Sequence, residues 1–514
     1  MLSRNSARPT GRVLAGPWMQ DKSLGIDRTA PSRKAGAVMS LRDIRTDYPR
    51  GFRARRGLNW SSLGLMYAAY YMCRYNFRFA TPGMQEEFGF TTTQIADMLA
   101  IWSLTYGTGQ LVNGLLTDRM GGKRSMKIGA FGTIAVNLLM GLAPLLVIGG
   151  ALAAAARFVF RSDVIDPAFA AIAVVWLVNG WFQSFGAPGM IKINAAWFRR
   201  TERGTFAGIF GFMIQLGQVV SSKISPAILN GISLGILVIA PGQWRWLFII
   251  PPLVTLAAAI FMIMAAKATP EEAGFHGVIR DELDDSAGVT VSLKESFKTI
   301  FTHPLVWFYA CAYACTGAVR TSSDQLSILY FQEQLGMNMK TDIPSTVAWT
   351  LAAMPMAAVG GSLASGWISD KFFAGHRSPV AMVLYFLEAV VIGIAAFLLM
   401  KGLVSPTPAG VLAGCAILIV ISLTANSTHS IVGSAAPMDI GGKKMAGFAA
   451  GVIDSFQYYG GAISLFITGR VLDATKADYG WLFWYVIMAS FGVMGGIAML
   501  LVMRKHKRIQ TATS

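Results

Sequence analysis

The chain has 514 residues, 54% of them apolar and 14% charged, with a mean hydropathy of +0.50 and a formal net charge of +17. Those proportions exclude an ordinary water-soluble globule and call for lipid as the solvent. The positive charge invites a nucleic-acid partner, but thirteen Lys and Arg fall within residues 1–58 against four Asp, and the rest flank apolar runs. Anionic lipid headgroups account for that pattern, so the lipid bilayer is an expected partner and nucleic acid is not.

Residues 1–57, rich in Arg, Ser, Gly and Pro, read as a disordered, basic, cytoplasmic extension. An organelle transit peptide is the other reading, and Asp21, Asp27, Asp43 and Asp47 speak against it. Beyond them, runs of about 20 apolar residues, enough to cross a hydrocarbon core ~30 Å thick, recur to the C-terminus. They are predicted at roughly 61–82, 95–117, 126–150, 168–190, 203–225, 244–266, 304–326, 345–368, 379–400, 409–432, 445–469 and 480–503. A polar piece at 267–303, with Glu271, Glu272, Arg280, Asp281, Glu282, Asp284 and Asp285, separates an N-terminal half (58–266) from a C-terminal half (304–503), and a basic tail follows at 504–514. The predicted fold class is therefore an all-α membrane protein with twelve transmembrane helices in two pseudo-symmetric six-helix halves.

Lys and Arg beside membrane spans are retained on the cytoplasmic side. The breaks after spans two, four, eight and ten hold eleven of them, Arg119 to Lys444, whereas those after spans one, three, seven, nine and eleven hold Arg157, Arg161, Lys340, Lys401 and Lys476. Both termini are predicted to be cytoplasmic, in a bacterial inner membrane. Cys73, Cys311, Cys315 and Cys415 lie in apolar spans without a histidine cluster, so they read as packing residues, and no metal or cofactor is expected.

The two halves share a plan. Gln85-Glu86-Glu87-Phe88-Gly89-Phe90 after span one resembles Gln332-Glu333-Gln334-Leu335-Gly336-Met337 after span seven, and each half continues through a Gly-rich span to an acidic-basic pair, Asp118-Arg119 and Asp370-Lys371. Internal repeats of this kind mark transporters that rock two halves around a central site.

Charges inside spans carry the functional reading, because an ionisable group at mid-bilayer costs about 2.5–3.5 kcal/mol on insertion scales and usually faces a bundle interior. Arg74 lies eleven residues before Gln85, and Arg320 twelve before Gln332. Two guanidiniums facing one cavity make sense when an anion completes them, and phosphate fits their planar forks. Alternatively, the pair is structural, neutralised by Asp324, by Asp454 or by carbonyls. Arg78, one turn after Arg74, either joins the anion site or snorkels to the interface. Asp454 could balance an arginine or bind a proton, and His429 could titrate during transport or bond across a helix pair. Lys192 could reach the cavity or join the cytoplasmic basic set. Tyr70, Tyr71, Tyr106, Trp181 and Tyr458 surround these charges as candidate donors and walls, with core packing the alternative.

Asp118-Arg119-Met120-Gly121-Gly122-Lys123-Arg124 resembles the signature loop of the major facilitator superfamily. The run from Tyr67 to Phe77, with Tyr70, Tyr71, Arg74 and Asn76, is similar to the first helix of the organophosphate:phosphate antiporters, the group containing the glycerol-3-phosphate and hexose-6-phosphate transporters. Asn179-Gly180-Trp181-Phe182-Gln183, Glu202-Arg203-Gly204 and Lys443-Lys444-Met445-Ala446-Gly447 look like its later signatures. The resemblance implies that Arg74 and Arg320 hold a substrate phosphate, and that a small organic phosphate is exchanged for inorganic phosphate by alternating access, with neither ATP nor enzyme chemistry. A monomer is expected. Gln110 and Ile214 stand where bacterial members carry a lysine and a histidine, so the cavity is expected to differ from theirs. Two other functions remain open at this point: a carrier of another organic anion, proton-coupled through Asp454 or His429, and a transport-inactive sensor of the same ligand.

Overall fold

In the computed structural model, the described residues are 48–143, 145–160, 166–199, 202–235, 237–279, 302, 304–373, 377–440 and 442–513. Most of the predicted extension, and most of the linker between 280 and 303, lies outside them.

The N-terminal half contains α1 (Phe52–Phe88), α2 (Thr92–Met120), α3 (Gly122–Leu142), α4 (Leu145–Phe160), α5 (Pro167–Gln183), α6 (Gly186–Trp197), α7 (Arg203–Leu229) and α8 (Ile250–Ala265). The C-terminal half contains α9 (Pro304–Glu333), α10 (Ser345–Phe372), α11 (Arg377–Met400), α12 (Pro408–Ile440), α13 (Gly442–Tyr479) and α14 (Leu482–Thr513). Local signals set many of the boundaries. Gly89 and Gly336 take the left-handed conformation, with φ of 69° and 63°, at the same place in the two repeats, where a Cβ would be strained. Thr91 and Gln94 form a reciprocal capping box that starts α2. The Asp166 carboxylate accepts from the backbone N–H of Ala168 and Phe169, and Pro167 fits the first helical position of α5.

Several predicted boundaries move. Residues 52–57, assigned to the extension, already belong to α1: Phe52 is buried against the Trp197 and Phe275 rings, and Arg55 donates to the Ala265 carbonyl at the end of α8. Span three stops at Leu142, and a separate helix, α4, packs on α5. Span four is broken at Ser184–Phe185 into α5 and α6. A two-stranded antiparallel hairpin (β1, Ile232–Leu234; β2, Leu237–Ile239) interrupts an otherwise helical chain between α7 and α8.

Among the described residues, seven segments are long and apolar enough to cross a membrane by length and composition: α3, α5 with α6, Trp244–Ala265, α10, α11, the α12 segment Pro408–Gly433 and the α14 segment Leu482–Lys505. The long helices α1, α2, α7, α9 and α13 fall short of that apolarity. All five meet the opposite half, α1 on α9, α2 on α13 and α7 on the more apolar α10, so polar residues of α1, α2, α9 and α13 face one another while exposed apolar positions such as Leu363, Val390 and Trp349 lie outside. Close approach of α9 and α13 is built in: a Cβ at Gly317 would strike the Gln457 backbone, and one at Gly460 the Ala314 backbone.

Candidate functional site

The site begins with a polar ladder inside the N-terminal half. Asn76 Nδ2 donates to Asn137 Oδ1 (2.9 Å) and to the Leu247 carbonyl (2.9 Å), and Asn137 Nδ2 donates to Asn179 Oδ1 (3.2 Å). Gln183 Nε2 donates to the Cys73 carbonyl at 3.0 Å, which fixes the amide so that its Oε1 accepts from Arg74 Nε at 3.0 Å. Buried amides bonded to one another in this way are held rigidly, although Asn76 Oδ1 has no partner among the described residues. Arg74 is thereby held at its Nε, with its guanidinium carbon 4.5 Å from the Tyr71 ring centroid, 4.8 Å from Trp102 and 4.4 Å from Tyr106. Aromatic faces stabilise the cation without consuming its N–H groups, and the two terminal nitrogens make no hydrogen bond to the described residues.

From the other half, Arg320 Nη1 donates to Gln457 Oε1 at 3.3 Å, and the Gln457 amide in turn donates to the Asp454 carboxylate. Arg74 and Arg320 line one cavity with Tyr75, Trp102, Ser103, Thr321, Asp324, Gln325, Gln457 and Tyr458. Every lining helix, α1, α2, α9 and α13, is one of the five of lower apolarity. Two buried donors of the rings against Arg74 are unpaired among the described residues, Nε1 of the cavity-lining Trp102 and Oη of Tyr106 behind it. The cavity is about 30 Å³, roughly the share of liquid volume of one water.

The structure sorts the candidates from the sequence. Tyr458 lines the cavity, whereas Tyr71 and Tyr106 lie against the Arg74 guanidinium without lining it, the Tyr106 and Tyr458 ring centroids being 4.5 Å apart. Tyr70 points away and donates to the Met126 carbonyl at 2.9 Å. Trp181 does not line the cavity; its backbone carbonyl accepts from Asn113 and Ser184. Lys192 does not line the cavity: it is partly exposed and pairs with Asp118 at 3.1 Å. Arg78 does not snorkel: it is 2% exposed and donates to the Asp324 carbonyl oxygen (2.8 Å) and Ser222 Oγ (3.1 Å), tying α1 to α9 and α7. Asp324 lines the cavity, and its carboxylate accepts from Tyr75 Oη at 3.2 Å and Gln218 Nε2 at 3.4 Å. Asp454 reaches the site through Gln457 and faces Gln110. His429 stacks on Tyr313 with centroids 5.1 Å apart, behind the cavity wall. Sequence reading passed over Trp102 and Gln457. Both carried a positional signal, Trp102 one turn before Tyr106, and Gln457 one turn after Asp454.

At the end of the bundle that carries the α1–α2 connection, the halves are joined directly. Arg470 on α13 grips Asp97 on α2 with both terminal nitrogens, at 2.6 and 3.1 Å. The Asp473 carboxylate accepts the backbone N–H groups of Thr92 (3.3 Å) and Thr93 (2.7 Å), capping α2 from the opposite half. Lys476 donates to Thr92 Oγ1, Lys340 pairs with Glu86 at 3.4 Å, and Gln85 donates to Glu333, so the two repeat motifs touch.

A two-half helical bundle with a charged central cavity and one sealed end defines a class of alternating-access membrane carrier. The family model described as Major Facilitator Superfamily matches residues 63–465, and the chain belongs to that superfamily. The chain is similar to the glycerol-3-phosphate transporter of Bacillus subtilis (strain 168), at 26% identity over 86% of this chain and 91% of that protein. It is similar to membrane sensor protein UhpC of Escherichia coli (strain K12), at 24% identity over 92% and 97%. It is also similar to the phosphoglycerate transporter protein of Salmonella typhimurium, at 23% over 85% of each. In fold it resembles a bacterial homolog of the human lysosomal transporter Spinster in an inward-facing, unoccupied conformation, with a TM-score of 0.66 and 13% identity over 89% and 98% of the two chains.

Proposed function

We propose that the protein is a secondary active transporter that carries a small organic phosphate, such as a glycerol phosphate or sugar phosphate, in exchange for inorganic phosphate. The observation that carries this reading is the cavity itself: one guanidinium from each half, each with unused N–H groups, beside the unpaired donors of Tyr106 and Trp102. A doubly negative group satisfies all of them at once and removes the repulsion between the two cations. The organophosphate relatives agree with that chemistry. Anion binding would draw the halves together, so the loaded protein switches and the empty one lags. In this reading both termini and the Asp118–Lys192 end are cytoplasmic, which the positive-inside pattern supports, the sealed end faces outward across a bacterial inner membrane, and the protein works as a monomer.

Counterflow of labelled phosphate in proteoliposomes tests the reading. Wild-type protein exchanges phosphate faster than it releases it into phosphate-free medium, while Arg74→Lys and Arg320→Lys each lose on the order of tenfold or more, because lysine cannot reproduce the planar fork. Unimpaired exchange in both variants refutes the assignment.

The extent of the match to the sensor UhpC favours a second reading, ligand binding that signals without flux. Phosphate binding to purified protein, combined with absent counterflow in wild type, would select it.

A further inference from the structure

The C-terminal half holds an ionisable group that the anion cavity does not use. Glu388 sits near the middle of α11, eleven residues from Arg377 and twelve from Met400, which at 1.5 Å per residue is about 17 Å from one end and about 18 Å from the other. It is 0% exposed. Its Oε1 has no hydrogen-bond partner among the described residues. Its Oε2 lies 3.2 Å from Thr428 Oγ1 on α12, and that hydroxyl lies 3.0 Å from the Thr424 carbonyl one turn earlier.

A threonine hydroxyl has a single hydrogen. When it goes to the carbonyl four residues back, as it commonly does within helices, the hydroxyl oxygen is left as an acceptor toward Glu388. A protonated carboxyl completes the chain: Glu388 donates to Thr428 Oγ1, and Thr428 donates to the Thr424 carbonyl. An ionised carboxylate would leave one oxygen bare and the other sharing a hydrogen, with no compensating cation. The groups facing Glu388 are Cys315 of α9, Tyr385 of its own helix and Thr428 of α12. The membrane portion of α14, packed on α11 through Gly492 and Gly495, brings Tyr485, which donates to Tyr330, and no charged side chain. Those of α10, Asp370 and Lys371, are exposed at its far end.

Glu388 connects toward the cavity through its partner Thr428 rather than by facing it. His429 follows Thr428 in the chain, its Nδ1 is buried and unpartnered, and its ring stacks on Tyr313. Arg320 acts electrostatically on both His429 and Tyr313. A bare Arg320 cation favours loss of a proton nearby, whereas an anion that neutralises it favours retention.

We propose that Glu388 is a proton-binding site whose occupancy is linked to anion binding at Arg320, so that anion and proton load together. The linkage rests on the cavity reading above; by reciprocity, the bound proton strengthens anion binding to the same degree.

Infrared spectroscopy of the full chain in lipid nanodiscs tests it, with binding of labelled inorganic phosphate measured on the same samples. Wild type shows the carbonyl stretch of a buried carboxylic acid at neutral pH, Glu388→Gln lacks it, and Thr428→Val moves it to higher frequency by removing the acceptor. Adding inorganic phosphate shifts the pH midpoint of that band upward in wild type, and Arg320→Gln abolishes the shift while keeping the band. A band unchanged in Glu388→Gln and unmoved in Thr428→Val overturns the proton site. A midpoint unmoved while phosphate binds overturns the linkage and leaves the cavity reading intact. Absence of phosphate binding in wild type overturns the cavity reading and the linkage together, and the Glu388 band then reports on the proton alone.

Discussion

Arginine in a membrane protein must be supplied with partners, and the way Arg74 is supplied decides what it can do. Gln183 occupies only its Nε, and rings cover its faces, so the four in-plane N–H bonds of its two terminal nitrogens remain for a guest. The same economy leaves Tyr106 Oη and Trp102 Nε1 without partners. A buried unpaired donor costs about 1–3 kcal/mol, and a hydrogen bond to a charged group contributes about 1.5–3 kcal/mol. Tyr106→Phe therefore raises the melting temperature of the empty protein while weakening phosphate binding by roughly tenfold or more, a split that thermal unfolding with and without phosphate resolves. A tyrosine that only packed would lower or preserve both. Arg74 and Arg320 were legible in the sequence because a charge inside an apolar run is rare. Tyr70 and Tyr71 were not separable there: adjacent residues of the same type point to different faces of α1, one toward α3 and one beneath Arg74.

At the level of elements, the α9–α13 contact governs the site, since it carries Arg320 on one helix and Gln457 with Tyr458 on the other. Gly317 and Gly460 let the backbones touch, and each faces main chain that cannot rotate away. Gly460→Ala should destabilise the protein by about 1–3 kcal/mol and displace Gln457 from Arg320; a detergent melting curve that coincides with that of wild type would argue against such tight contact. The caps at Gly89 and Thr91 carry α1 to Phe88 and start α2 at Thr92, beyond the predicted bounds of 82 and 95, because hydropathy runs do not register caps. The division of span four at Ser184–Phe185 and the outward extension of α13 to Tyr479 were not legible either, because hydropathy marks where lipid is, and a helix continues or bends according to its neighbours.

For the whole molecule, the bonds that seal one end must also be breakable. The Arg470–Asp97 pair is largely exposed on the arginine side, and such pairs contribute about 0–1 kcal/mol. A carboxylate capping a helix from the opposite half adds about 0.5–2 kcal/mol. Together they bias a two-state equilibrium by a few kcal/mol, within the ~5.5 kcal/mol that carries it from one side to the other. Asp473→Asn combined with Arg470→Gln should populate the form open at this end, seen as a longer distance between spin labels on the α1–α2 connection and the C-terminal end of α13. Burial acts to raise the Asp473 carboxyl, but hydrogen bonds from Thr93 and Thr91 and the nearby Lys476 outweigh it and hold the group below the usual carboxylate range. A carboxyl depressed in the closed form favours closure above its ordinary value near 4, and that contribution disappears as pH falls through the lower closed-form value. The same label distance should therefore lengthen in strong acid in wild type and stay independent of pH over that range in Asp473→Asn.

The sequence alone determined the solvent, the two-half plan and the arginine pair, because apolar run length, a repeated motif and misplaced charges are properties of the chain read in one dimension. Tertiary structure decided which groups share the cavity, that Lys192 is spent on Asp118, that Arg78 joins the halves, and that Glu388 faces a hydroxyl whose hydrogen is engaged elsewhere. Those outcomes depend on which faces of helices distant in the chain meet, and a helix fixes its own faces without fixing what lies opposite them.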